Sequence, residues 1–265
     1  MILRPQTDPF PPIYQVERSW EQNIRAALDL LAPGAGVRSG MKLGVPLSSG
    51  APTTGLTPTL SDGYLVAGDQ VAGPYGSKLI GAAPASASRN LYFGLKGLYY
   101  ATAPETERDV LVGSILTNAD SIVHLAQPMN YGAGRMGIRG QVAIALVTDG
   151  ADQTVFSLAL PETGLDHLRI TYAQARVASA IAGGGDSGDD FVLKAAVNGG
   201  SAVALATIAH SALGTLNAVS RFAAADGDAV SWMDPTTLAV LYNQTDGTTA
   251  ITGGLVEFNV LFELF

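Results

Sequence analysis

Residues Leu255 to Phe265 constrain this chain more than any other stretch. Val256, Phe258, Val260, Phe262 and Leu264 fall on one face of an extended chain, with Glu257, Asn259 and Glu263 on the other. A strand this long and this apolar on one side needs cover over that face. It also needs a neighbour along each edge, because an open edge would pair with other chains. The spacing therefore predicts a central or well-covered strand inside a β architecture. Composition agrees: 47% of residues are hydrophobic, enough to build a core, and 31 are glycine. Charged residues make up only 14%, against about 25% in ordinary soluble domains, so part of the surface is expected to be hidden by assembly.

Strand and turn signals recur through the C-terminal half. Val142 to Thr148, Thr154 to Leu160, Leu168 to Tyr172, Phe191 to Val197, Ala202 to Ile208, Ala218 to Ala224, Val230 to Met233 and Leu238 to Tyr242 read as strands. Asn198-Gly199 is a hairpin turn. Ala173 to Ala182 is open between strand and helix, and Gly183 to Asp190 reads as a solvated loop. Residues 138–265 are accordingly expected to form a β-sandwich, jelly-roll-like in arrangement.

The middle of the chain, 47–137, reads as a small β domain. Its clearest part is a meander from Arg89 to Leu125: aromatic strands at Leu91 to Leu95 and Leu98 to Thr102 around Lys96-Gly97, a β-branched run at Asp109 to Leu116, a polar turn at Asn118 to Ser121, and extended chain again at Ile122-Val123. Pro128 and the glycine-rich run Gly132 to Gly140 are expected to close the domain as a linker. Gly132-Ala-Gly-Arg-Met-Gly137 matches Gly-x-Gly-x-x-Gly, but it lacks the strand before and helix after that dinucleotide binding requires.

The meander resembles a module of bacteriophage fibre and baseplate proteins. The resemblance is carried by Leu91-Tyr92-Phe93, Gly97-Leu98-Tyr99, Val110-Leu111-Val112-Gly113, Thr117 and Ile122-Val123, with Val112-Gly113 where the module usually has Leu-Ala. It implies a structural virion protein and carries over no catalytic residue.

Residues 1–46 read as an arm, a helix and a linker. Pro5, Pro9, Pro11 and Pro12 forbid regular structure at the start. Val16, Trp20, Ile24, Leu28 and Leu31 then make an apolar stripe at helical spacing, ended by Pro33-Gly34. One such helix cannot bury its own stripe, so it is expected to anchor the chain against a β domain, sister helices or a virion partner. Gly34 to Gly44 reads as a connector without pattern.

The chemistry-bearing residues do not converge on an enzyme. Gly185-Asp-Ser-Gly188 matches a protease nucleophile loop around Ser187, but His124, His167 and His210 have no supporting context. Asp186, Asp189 and Asp190 are a weak calcium candidate without the calcium-loop pattern, and Asp226-Gly-Asp228 is weaker. Tyr92, Tyr99, Tyr100, Trp232 and Tyr242 are read as core or interface residues rather than a sugar platform. The net charge of −8 and the scattered basic residues argue against a nucleic-acid partner. The absence of cysteine excludes disulfides and thiolate metal sites. No run of about 18 apolar residues occurs, and the first residues lack the pattern of a signal peptide.

The expectation is a mainly β phage virion protein without catalytic, cofactor or metal sites. It would be made in the host cytoplasm and assembled as a homotrimer with capsid, portal or tail proteins. A carbohydrate- or receptor-binding module, contacting a host surface glycan, is the alternative.

Overall fold

The structure, a computed structural model, describes residues 36–38, 42–48, 51–61, 64–67, 70–72, 78–79, 81–94, 97–107, 109–132, 135–143, 151–160, 167–181, 189–223, 230–244 and 253–265. The first strands are short: β1 (Gly36–Arg38), β2 (Lys42–Gly44), β3 (Leu47–Ser48), β4 (Ala51–Pro52), β5 (Thr59–Ser61), β6 (Tyr64–Ala67), β7 (Gln70–Ala72) and β8 (Lys78–Leu79). Longer ones follow: β9 (Ser88–Gly94), β10 (Gly97–Ala101), β11 (Val110–Thr117), β12 (Ile122–Gly132), β13 (Arg135–Ala143), β14 (Gln153–Ala159) and β15 (His167–Ser179). Then come β16 (Phe191–Val197), β17 (Val203–Ile208), a single helical turn α1 (His210–Leu213), β18 (Val219–Ala223), β19 (Val230–Met233), β20 (Thr237–Gln244) and β21 (Leu255–Leu264).

The main sheet runs β10-β9-β11-β12-β13-β21-β15-β18, and β19 shares the outer edge of β15 with β18. A second sheet has the order β14-β20-β16-β17. Both are antiparallel throughout. The terminal strand is central, as its alternation predicts. It pairs with β13 from Arg135↔Glu263 to Ala143↔Leu255, and with β15 on its other side.

Because side chains alternate along a strand, the middle of the main sheet serves two cores. On one face Ala126, Ile138, Val142, Ala175, Val256, Phe258, Val260 and Phe262 pack against Phe156, Leu193, Val240 and Tyr242 of the second sheet. On the other face Leu125, Ala143 and Leu255 join Leu43, Val45 and Leu60 from the small sheet β2-β5-β8, together with Leu91, Val112 and Ile115. Neighbours in sequence thus point to opposite cores: Leu125 and Ala126, Val142 and Ala143, Leu255 and Val256. Phe258 and Phe262 are 3% and 0% exposed, and each such burial stabilises the fold by about 1.5–3 kcal/mol.

The strands expected over 89–125 form and lie side by side, but they are not a meander: the order is β10-β9-β11-β12, because β11 pairs with β9 rather than with β10. Asn118 closes the polar turn by accepting from the amides of Asp120 and Ser121. The Asn198-Gly199 turn has both residues at positive φ, 54° and 68°, as a tight hairpin requires. Ala173 to Ser179 continues β15, so the open choice there resolves to strand.

The glycine-rich run is a correction. Gly132 to Gly140 is a hairpin, not a linker: Gly132↔Arg135 flanks its tip, and Gly137 and Gly140 lie inside β13. A Cβ on Gly140 would sit 2.4 Å from the Leu125 carbonyl oxygen and 2.5 Å from the Phe258 ring. Glycine is there because strands approach closely, and the residue 137/138 position falls mid-strand in a sheet common to both halves. The Gly34 to Gly44 stretch also differs from its reading, since β1 and β2 lie within it. The stripe of Val16, Trp20, Ile24, Leu28 and Leu31 lies outside the described residues.

Candidate functional site

The side of the main sheet turned away from the second sheet carries a ladder of polar residues. Cross-strand register aligns Gln127, Arg139, Asn259, Gln174 and Arg221 in one row. Gln141, Glu257 and Arg176 form the next. The row containing Glu263 and Arg169 is joined by a salt bridge of 3.0 Å.

Strand β2 is latched onto this face. One of its edges pairs with β5. On the other, the amide of Leu43 donates to Gln127 Oε1 at 2.9 Å and the amide of Val45 donates to Gln141 Oε1 at 2.8 Å. Two carboxamides thus replace the carbonyls of a missing neighbouring strand, and strand amides that would otherwise lack partners are satisfied. Gln127 is fully buried, and its oxygen also accepts from Arg139 Nη2 at 3.2 Å.

Beside the latch lies a groove of about 390 Å³, between β2 and β5 on one side and β13, β21 and β15 on the other. Its size suits a small ligand. Lys42, Arg139 and Arg176 bring positive charge to it, and Glu257 is its carboxylate. Glu257 is already engaged: Gln141 Nε2 donates to Oε1 at 2.9 Å, and Arg176 donates to Oε2. Burial by itself raises the Glu257 pKa, but hydrogen bonds from Arg176 and Gln141 and the charges of Arg176 and Lys42 outweigh it, so the carboxyl stays below its ordinary value. Asn259 Oδ1 is buried in the wall without a hydrogen-bond partner among the described residues. Thr59, Ser61 and Gln174 add hydroxyl and amide groups. The groove is a hydrogen-bonding, cationic recess on a molecule whose net charge is −8.

The residues singled out in the sequence lie elsewhere. His124 is buried on the face toward the second sheet, its Nδ1 3.4 Å from Tyr242 Oη and its ring edge-on to the tyrosine. His167 stacks on Phe265, and His210 begins α1, where its amide donates to Asp190. Asp189 corrects the solvated-loop reading, being fully buried. Asp186, Ser187, Asp226 and Asp228 lie outside the described residues. Among the described residues no three His, Cys, Asp or Glu side chains are grouped to hold a metal ion. Tyr92 and Tyr99 stack at 5.7 Å, Tyr100 donates to the Gly81 carbonyl, and Tyr242 stacks on Phe191 in the core. The groove itself escaped the sequence reading. Its only signal there was the polar residues alternating with Ala173, Ala175 and Val177, and with the apolar positions of the last strand.

His124 sets a pH dependence. Burial pushes its pKa from 6.5 down to about 4. A depressed histidine contributes stability that is complete above the unfolded value and is lost as pH falls through the folded one. The loss is on the order of 3 kcal/mol below pH 4. His124→Leu is expected to flatten the fall of the urea midpoint between pH 7 and pH 4.5. An unchanged slope would mean that carboxylates alone set it.

No protein-family model matches the sequence, and no curated protein matches it. Among solved structures, the chain aligns with one described as the structure of infectious bursal disease virus Gx strain, at 13% identity and a TM-score of 0.23, covering 87% of this chain and 70% of that one. That score is below the level of a shared fold.

Proposed function

We propose that the chain is a virion structural protein of a bacteriophage, a fibre, spike or head-decoration subunit on the particle surface. It acts by assembly rather than turnover, anchored through residues 1–46 and made in the host cytoplasm. The reading is supported chiefly by the 89–125 segment: the residues that carry the resemblance to phage fibre and baseplate modules lie on four neighbouring antiparallel strands, in the order β10-β9-β11-β12, at one end of the main sheet. Exposed Leu216, Val219 and Met233, on a chain poor in charge, fit a surface completed by a partner. Closed symmetry provides such cover, and we take a homotrimer as the assembled form. We keep a jelly-roll-like arrangement for the C-terminal sheets as part of this proposal.

Mass spectrometry of purified particles is expected to find the protein in stoichiometric amount, and light scattering of the purified chain is expected to give about three chain masses. Absence from particles overturns the virion reading, whereas a monomer that is present in particles overturns only the trimer. The second reading, a receptor-binding module of a phage adhesin, is favoured by one observation, the cationic polar groove beside β2.

A further inference from the structure

We propose that the groove between β2 and the outer face of β13, β21 and β15 binds a small hydroxylated carboxylate, an acidic sugar of the kind that ends many surface glycans. The inference rests on the receptor-binding reading and gives it a ligand class.

Three observations combine. The first is charge. Lys42, Arg139 and Arg176 face the groove, and its carboxylate, Glu257, is already held by Arg176 and Gln141. Lys42 is exposed at the rim and has no salt bridge among the described residues; its charge acts on Glu257 from there and acts in the same way on an anion entering the groove. The second is the unpaired acceptor. Asn259 Oδ1, in the wall, has no donor among the described residues and almost no surface open to solvent, so a ligand hydroxyl meets it by drawing the side chain toward the groove, and a carboxylate group alone has no proton to give. A sugar hydroxyl donates and accepts at once. An unsatisfied buried carbonyl is costly, so filling it adds to affinity. The third is the lining. Gln174, whose oxygen accepts from Tyr172, offers its amide N–H groups, and the hydroxyls of Thr59 and Ser61, which donate to the Gly44 and Lys42 carbonyls, offer lone pairs to a ligand hydroxyl. The groove's volume of about 390 Å³ accommodates one or two sugar rings. A ligand carrying both a carboxylate and hydroxyls meets all three.

The test is calorimetric titration of the full chain with glucuronate, glucose, inorganic phosphate and an oligosaccharide ending in glucuronate, alongside an array of neutral glycans. Glucuronate is expected to bind at least about tenfold more tightly than glucose or phosphate. Lys42→Glu, on an exposed residue, is expected to weaken it by at least about fivefold while the chain stays folded, as far-ultraviolet circular dichroism reports. Tighter binding of the oligosaccharide identifies a glycan terminus as the source, and equal binding identifies the free acid. Phosphate equal to glucuronate, or Lys42→Glu without effect, overturns the proposal. Neutral glycans binding where glucuronate does not overturns the acidic class and leaves the receptor reading standing. No binding by any saccharide removes both.

Discussion

Gly140→Ala is expected to destabilise the protein by about 3 kcal/mol or more, a large cost for one methyl group. Overpacking a core generally costs about 1–3 kcal/mol. This site lies at the upper end because the new Cβ meets a carbonyl oxygen of the neighbouring strand at 2.4 Å. The Phe258 ring, at 2.5 Å, can turn aside, but the Leu125 carbonyl is fixed by the pairing of β12 and β13. The sign is informative, because alanine in place of glycine stiffens the unfolded chain and is mildly stabilising where space allows. Gly81, with no atom near its would-be Cβ, is the control, expected to change stability by under about 0.5 kcal/mol. Urea midpoints of the two variants decide it. Equal midpoints would mean that β12 and β13 do not approach as described.

Phe262→Ala is the second large effect, about 3–5 kcal/mol. Phe262 is completely buried on a strand flanked by β13 and β15, facing the second sheet. Since β12, β13 and β21 also line the opposite core, the loss is expected in one cooperative transition, with the midpoint falling at unchanged slope. Phe265→Ala, at a position 51% exposed, is expected to cost under about 1 kcal/mol. Two separated transitions in Phe262→Ala would show that the cores unfold independently.

These predictions also mark where the sequence was legible. The last strand was readable because its burial on one face writes a period of two into the residues, and Asn198-Gly199 was readable because few pairs accept positive φ at both positions. Glu257 and Asn259 were placed correctly on the face opposite the core, but what they would meet there was not visible. Glycine hid β13: a residue without a side chain shows no apolar period, so a close strand contact looked like a linker. The groove was hidden for another reason. Lys42, Arg139, Arg176 and Asn259 come from four strands far apart in the chain, and only the register of the sheet brings them into line.

The latch on β2 amounts to a proofreading device for strand placement. Gln127 and Gln141 recognise main-chain amides two residues apart and nothing of the side chains between them. A rigid slide of β2 by one residue would bring carbonyls opposite both carboxamide oxygens, setting acceptor against acceptor. A slip that instead presented the next pair of amides would carry Leu43 and Val45 out of their core and bring Lys42 and Gly44 in. The glutamines thus oppose the first misplacement and the apolar core opposes the second, so a three-residue strand is placed on a broad sheet by two independent constraints.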